Sequence, residues 1–144
     1  MKTTKEALKD MKQIIDILED KGEPFDSGCS EDESVTMIER ARRKSPQKPI
    51  RIVSDWIWWQ IEYPLADLSR LAERHLQPVK IRADQILLDE TNTYGGEQTL
   101  ISTHLVDIRY DCVFESEDIT YILCGLGTRK NVTPEQLAFF IGLS

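Results

Sequence analysis

Apolar positions along this chain follow two periods, and the change from one to the other marks where helices give way to strands. Near the start, Leu8, Met11, Ile15 and Leu18, joined by Ala7 and Ile14, recur every three or four residues, the spacing of one helix face. Thr3 with Glu6 makes a capping box that opens this helix, and Gly22 with Pro24 closes it. A second capping pair, Ser30 with Glu33, opens a shorter, weakly amphipathic helix that ends near Lys44-Ser45-Pro46. Between them, residues 22–31 hold Phe25 as their one large anchor, so a mobile link that proteases cut first is expected.

Beyond Pro49 the branched and aromatic residues of 50–61 predict a strand with a break at Ser54-Asp55. Pro64 suits the first turn of a helix from Leu65 to about Leu76, and 79–88 predicts another strand, an order that permits a parallel crossover or an antiparallel placement. Residues 91–98 read as loop and 100–106 as a third strand. The centre of the pattern is 108–127, where Ile108, Tyr110, Cys112 and Phe114 alternate with polar residues in one arm, and Ile119, Tyr121 and Leu123 alternate in the next. Glu115-Ser116-Glu117-Asp118 is the expected turn between two arms of a hairpin. Thr133-Pro134-Glu135-Gln136 combines a cap, a first-turn proline and a capping-box glutamine. The closing helix it opens, 134–143, carries Leu137, Phe139, Phe140, Ile141 and Leu143 and is expected to be integral to the core. Together these elements predict a single α+β domain over residues 1–144. Its sheet is antiparallel-dominated, β-α-β and then a meander, with helices packed on it, a helical extension over 1–45 and a sheet core with the closing helix over 50–144.

Composition narrows the class of protein. At 144 residues with 40% hydrophobic and 30% charged positions, the chain is long enough for a real core and has no apolar run of membrane-spanning length. Its opening residues are charged rather than signal-like, so a cytoplasmic protein is expected. The three cysteines lack paired spacing, and neither a disulfide framework nor a zinc site is signalled.

Net charge is -7, which opposes general affinity for nucleic acid. The average conceals a block: residues 35–51 hold six Lys or Arg and one acid, between an N-terminal segment with ten acids and five Lys and a remainder with fourteen acids and seven bases. Arg40, Arg42, Arg43, Lys44 and Arg51 are therefore candidate binding residues, and three tryptophans follow them closely. Alternation places Trp56 and Trp58 on one strand face and Trp59 on the other, which favours two rings in a core and one under a helix. An interface anchor is the alternative, with Trp59 the candidate.

Gly125-Leu126-Gly127-Thr128-Arg129-Lys130 reads as a glycine turn whose Arg129 and Lys130 could hold an anion, although it lacks the full pattern of a dinucleotide- or phosphate-binding loop. His75 at a helix end has a structural explanation in the helix dipole. His104 and Asp107 fall on opposite faces of a strand and make no pair, while Cys112 and Cys124 could approach across the hairpin as small buried hydrophobes. No residue is assigned a catalytic or metal-ligating role, and no cofactor is expected.

The segments Trp56-Ile57-Trp58-Trp59, Leu76-Gln77-Pro78-Val79, Cys112-Val113-Phe114-Glu115 and Tyr121 through Lys130 resemble a family of small uncharacterised proteobacterial proteins often found in prophage-like regions. The resemblance covers 52–130, implies no activity and assigns no residue a role. It tilts expectation toward mobile-element biology. The function expected is a non-enzymatic binding protein for a macromolecule, first a protein partner, with an accessory or anti-defence role. A nucleic-acid-binding module using the basic block and tryptophans is the second expectation, and a small enzyme built on His104 or the glycine turn the third.

Overall fold

A computed structural model describes residues 4–9, 12 and 20–143. Residues 4–9 and 12 are helical, whereas Met11, Ile14, Ile15 and Leu18 of the predicted first stripe lie outside the described residues. The order that follows is β1 (Glu23–Phe25), α1 (Glu31–Lys44), β2 (Ile50–Ile61), α2 (Leu65–Glu73), β3 (Val79–Asp89), β4 (Leu100–Ile101), β5 (Leu105–Arg109), β6 (Val113–Ser116), β7 (Thr120–Leu123), β8 (Gly127–Val132) and α3 (Pro134–Leu143).

The chain is α+β as its pattern predicts, but the sheet is mixed and curled rather than antiparallel-dominated. One geometric fact accounts for this. Strands β2, β3, β4 with β5, β6 and β7 reverse direction at each step. The first and fifth strands of such a series point the same way, so a sheet that curls until they meet must close with a parallel ladder. β2 and β7 do so, Ile50 opposite Thr120 through Val53 opposite Leu123. β4 and β5 act as one broken strand along β3: Leu100 lies opposite Ala83, the Ser102 amide donates to the Ile81 carbonyl at 2.9 Å, and the Gln77 amide donates to the Leu105 carbonyl at 2.8 Å.

The 12-residue β2 is the centre of the sheet. β3 runs antiparallel along one edge, so the strand-helix-strand unit does not form a parallel crossover. Along the other edge β7 gives way to β8, which pairs parallel from Ile57 opposite Thr128 to Ile61 opposite Val132. The change of partner coincides with Asp55, which has a φ of 51°, at the break expected there. β1 pairs antiparallel with β8, so the expected mobile link at 22–31 is instead tied to the sheet through residues 23–25 and a β-bridge between Cys29 and Cys124. Phe25 anchors it, with ring centroids 6.0 Å from Trp56 and 5.4 Å from Trp58.

The predicted hairpin is also redrawn. Its first arm is cut by a turn at Tyr110 and Asp111, whose φ values of 53° and 56° send the chain back on itself, so β5 and β6 are the arms of one hairpin and β6 and β7 of the next. Two consecutive positive-φ residues are what a mirror-image hairpin turn needs; aspartate tolerates that conformation and tyrosine is strained in it.

Packing divides the apolar residues into two clusters. Trp56, Phe114, Tyr121, Ile122 and Leu123 form the larger with Met37 and Ala41 of α1, so that helix contributes to the core. Ile57, Trp59, Ile61 and Val132 form the smaller beneath Leu137 of α3. The side chains of Phe140 and Leu143 lie outside the described residues.

Candidate interaction surface

The basic block is largely bonded to the chain's own acids. α1 begins with the predicted capping box, Ser30 Oγ accepting from the Glu33 amide at 3.1 Å and a Glu33 carboxylate oxygen from the Ser30 amide at 3.3 Å, and it ends in Arg42, Arg43 and Lys44. Arg42 donates twice to Glu90, at 3.0 and 2.5 Å, and Glu90 also accepts from the Ile50 amide at 2.7 Å. Lys44 reaches Asp107 at 3.1 Å. Arg51 donates to Asp89 at 3.0 Å, the Tyr121 hydroxyl at 3.1 Å and Thr91 at 3.2 Å. Arg43 is exposed.

Two carboxylates anchor this arrangement. Burial would raise the Asp89 pKa, yet backbone N–H donors at Thr91 and Tyr94, the Thr91 hydroxyl and Arg51 hold it well below the ordinary range. Glu115, buried in β6, accepts from Lys48 at 2.8 Å, Arg109 at 3.1 Å and Ser45 at 3.2 Å. Burial again opposes its charge, while the Lys48 hydrogen bond and the Lys48 and Lys44 charges lower its pKa. The run of bases is a fastening between α1 and the sheet more than an open patch.

The other candidates scatter. Trp59 is fully buried and cannot anchor an interface, because alternation along β2 aims it under α3. The glycine turn shrinks to Gly125-Leu126, since Gly127 already begins β8, a polar strand that apolar alternation does not reveal. A Cβ at 127 would fall inside the Trp56 indole, so only glycine lets the strand approach. Arg129 and Lys130 line a groove of about 410 Å³ with Gly22, Glu23 and Asn131. There the Arg129 guanidinium lies 5.9 Å from the Phe25 ring, and the Lys130 amine donates to the Asp20 carbonyl at 2.7 Å.

His75 lies just beyond α2 with a φ of 57°, where the chain turns. His104 meets the Tyr63 hydroxyl at 2.7 Å in a cleft of about 210 Å³ with Asp67, Arg70, Leu71 and Arg74. Burial and then the nearby Lys80 charge push the imidazole down to about 4, and burial raises the Tyr63 phenol. A base so weakened is poorly matched to proton transfer at neutral pH.

A different set of residues converges at one end of the sheet. The turns at 26–30, 110–111 and 125–126 are bonded together: the Gly28 amide donates to the Asp111 carbonyl at 3.0 Å, and the Gly125 amide donates to the Cys29 carbonyl at 2.8 Å. Each turn carries one cysteine at its base, and Cys29 Sγ lies 3.8 Å from Cys124 Sγ. Burial, then the Cys29 neighbour, pushes the Cys112 and Cys124 thiols up to about 12, so these are inert packing groups at neutral pH. Among the described residues, no three His, Cys, Asp or Glu side chains are placed to hold a metal ion.

Above the thiols lies a groove of about 480 Å³ lined by Asp26, Ser27, Gly28, Cys29, Ser30, Tyr110, Asp111, Gly125 and Leu126. Leu126 is 87% exposed and Tyr110 54% exposed. Arg40, alone of the predicted basic residues, joins them, its guanidinium 4.4 Å from the Tyr110 ring. Tyr110 was hidden in the sequence by apolar alternation that runs straight through the turn. Leu126 carried a signal in standing between two glycines, where a leucine gains nothing by folding.

Residues 26–139 match the model of a family described as domain of unknown function (DUF6957). The chain belongs to that family. The DUF6957 match extends beyond the resemblance seen at 52–130 to include α1 and most of α3, and it takes in all three turns. No curated protein and no solved structure matches the chain. Among the described residues no helix is long and apolar enough to cross a membrane.

Chemically, this end of the DUF6957 domain offers an apolar pair, two groove carboxylates and no activated nucleophile. Backbone hydrogen bonds between the turns fix their mutual positions, so the exposed side chains are displayed without a large ordering cost.

Proposed function

We propose that this protein is a non-enzymatic binding domain for a protein partner, and that the three-turn end is its contact surface. The observation that carries the reading is Leu126, almost wholly exposed on a glycine turn beside the half-exposed Tyr110. Aromatic anchors near the centre of a patch dominate binding energy at protein interfaces, and contact would take the apolar surface of the leucine beside one out of water. The basic block plays a smaller part in this reading than its charge suggests, since its acidic partners are in the same chain. An accessory or anti-defence role in mobile-element biology fits the resemblance of 52–130 and rests on that alone.

The test is a photo-crosslinking amino acid placed at 126 in cells of the native host, with a second at the exposed Glu73 as control. The expected result is one protein adduct from position 126, reduced by Tyr110→Ala and absent from position 73. Adducts to nucleic acid, or equal labelling from both positions, would overturn the reading.

A further inference from the structure

We infer that the segment bound at the three-turn end is basic, a stretch with two or more Lys or Arg around an aliphatic side chain; this rests on the proposed function. The charge that lines the groove points to this. Elsewhere some acids are held in ion pairs, Glu90 with Arg42, Asp89 with Arg51, Glu115 with Lys48 and Glu117 with Arg74, while others, Glu39, Glu73 and Glu135 among them, are simply exposed. Asp26 and Asp111, which line the groove, are exposed and enter no ion pair among the described residues, and the exposed Glu31 and Asp32 of the first turn of α1 follow directly on Ser30 of the groove.

Local structure explains part of this charge but not all of it. Glu31 and Asp32 suit the positive end of the helix dipole. Asp26 and Asp111 lie outside the helix. At 111 a side chain that tolerates positive φ is needed, which asparagine supplies equally well without a charge. Arg40 is the cation that approaches, and it lies against the Tyr110 ring. A groove with two free carboxylates beside Tyr110 and Leu126 complements cations flanking an aliphatic group, and it repels phosphates and acidic peptides.

Three octapeptides test this by amide chemical-shift titration of the full chain at low and physiological salt: Gly-Lys-Leu-Lys-Gly-Arg-Leu-Lys, and versions with every base replaced by Glu or by Gln. The basic peptide is expected to shift the amides of 26–30, 110–111 and 125–127, more weakly as salt rises. Asp26→Asn with Asp111→Asn should weaken it about tenfold, as removal of two modest charge contacts implies. The spectra of the double variant report at once whether its fold is kept. Equal binding of the Gln or Glu peptide at the same amides would overturn the basic character and leave the protein-binding reading standing. No shift from any peptide, or shifts confined to other residues, would overturn the inference, while the crosslinking result decides separately whether a protein binds there.

Discussion

The two ends of α1 carry opposite charges that the helix dipole favours equally, yet they stand in different circumstances. At the C-terminal end, Arg42 and Lys44 meet Glu90 and Asp107 supplied by the sheet. At the N-terminal end, Glu31 and Asp32 are exposed and enter no ion pair among the described residues, and they follow Ser30 of the groove that Asp26 and Asp111 line. A run of like charge in a sequence therefore says little about an available patch until its spatial neighbours are known. Here most of the run that stood out is satisfied, and two acids that blended into an acidic chain line an open groove.

The largest expected effect breaks the satisfied end. Glu115→Gln leaves Lys48 without its charge partner and Arg109 with Asp107 alone, in a partly buried setting where such a loss costs about 2 kcal/mol. Asp111→Asn, at the open end, should change stability by less than about 0.5 kcal/mol. Urea denaturation of the two variants measures the contrast, and equal losses would remove the distinction between the ends.

Acid should act on the satisfied end in the same sense. Glu115 and Asp89 have folded pKa values lowered from ordinary values of 4.5 and 3.8. Their contribution is complete above those ordinary values and is lost as pH falls below them, because the unfolded chain then takes up protons first. His104 adds an earlier loss: lowered from 6.5 to about 4, it favours the folded state above pH 6.5 and gives that advantage up as pH falls from 6.5 toward 4. Melting across pH 7 to 3 should therefore show two stages. His104→Gln should abolish the first and Glu115→Gln should diminish the second. A flat profile down to pH 4 in the parent protein would contradict the neutral imidazole.

A smaller effect concerns Arg42, which the sequence offered as a binding residue. Arg42→Ala breaks an exposed pair with Glu90, so the melting temperature should scarcely move. Crosslinking from position 126 should also be unchanged. Loss of the adduct in this variant would return the binding site to the basic end.

Much of the fold was legible where local chemistry agreed with tertiary structure. The capping boxes at Ser30 and at Thr133 are present as read, the one at Thr3 lies outside the described residues, and alternation correctly put Trp59 on the face opposite Trp56. The reading lost its way where long-range pairing decides. β8 is polar and became a strand because β2 and β1 lie on either side of it, and β1 was read as a link because three residues carry no period. The candidate site was nearly illegible for a related reason. Its members come from three turns about 80 and 15 residues apart, a juxtaposition that only closure of the sheet creates.

The smallest effect on stability should give the sharpest view of the open end. Tyr110 holds a φ of 53°, a conformation that costs a residue with an ordinary side chain about 1 kcal/mol and that asparagine adopts readily. Its ring is half exposed and stacks on Arg40. Tyr110→Asn gives up this exposed stacking, worth about 0.5 kcal/mol, and relieves the turn, so the variant should be as stable as the parent or slightly more so. If the tyrosine serves the fold alone, the same change should leave crosslinking at 126 intact. If it serves a partner, the adduct should fall steeply while urea denaturation shows no loss. Stability kept and binding lost would show that the strain at 110 is maintained for contact, and a destabilised variant would instead assign the ring to the fold.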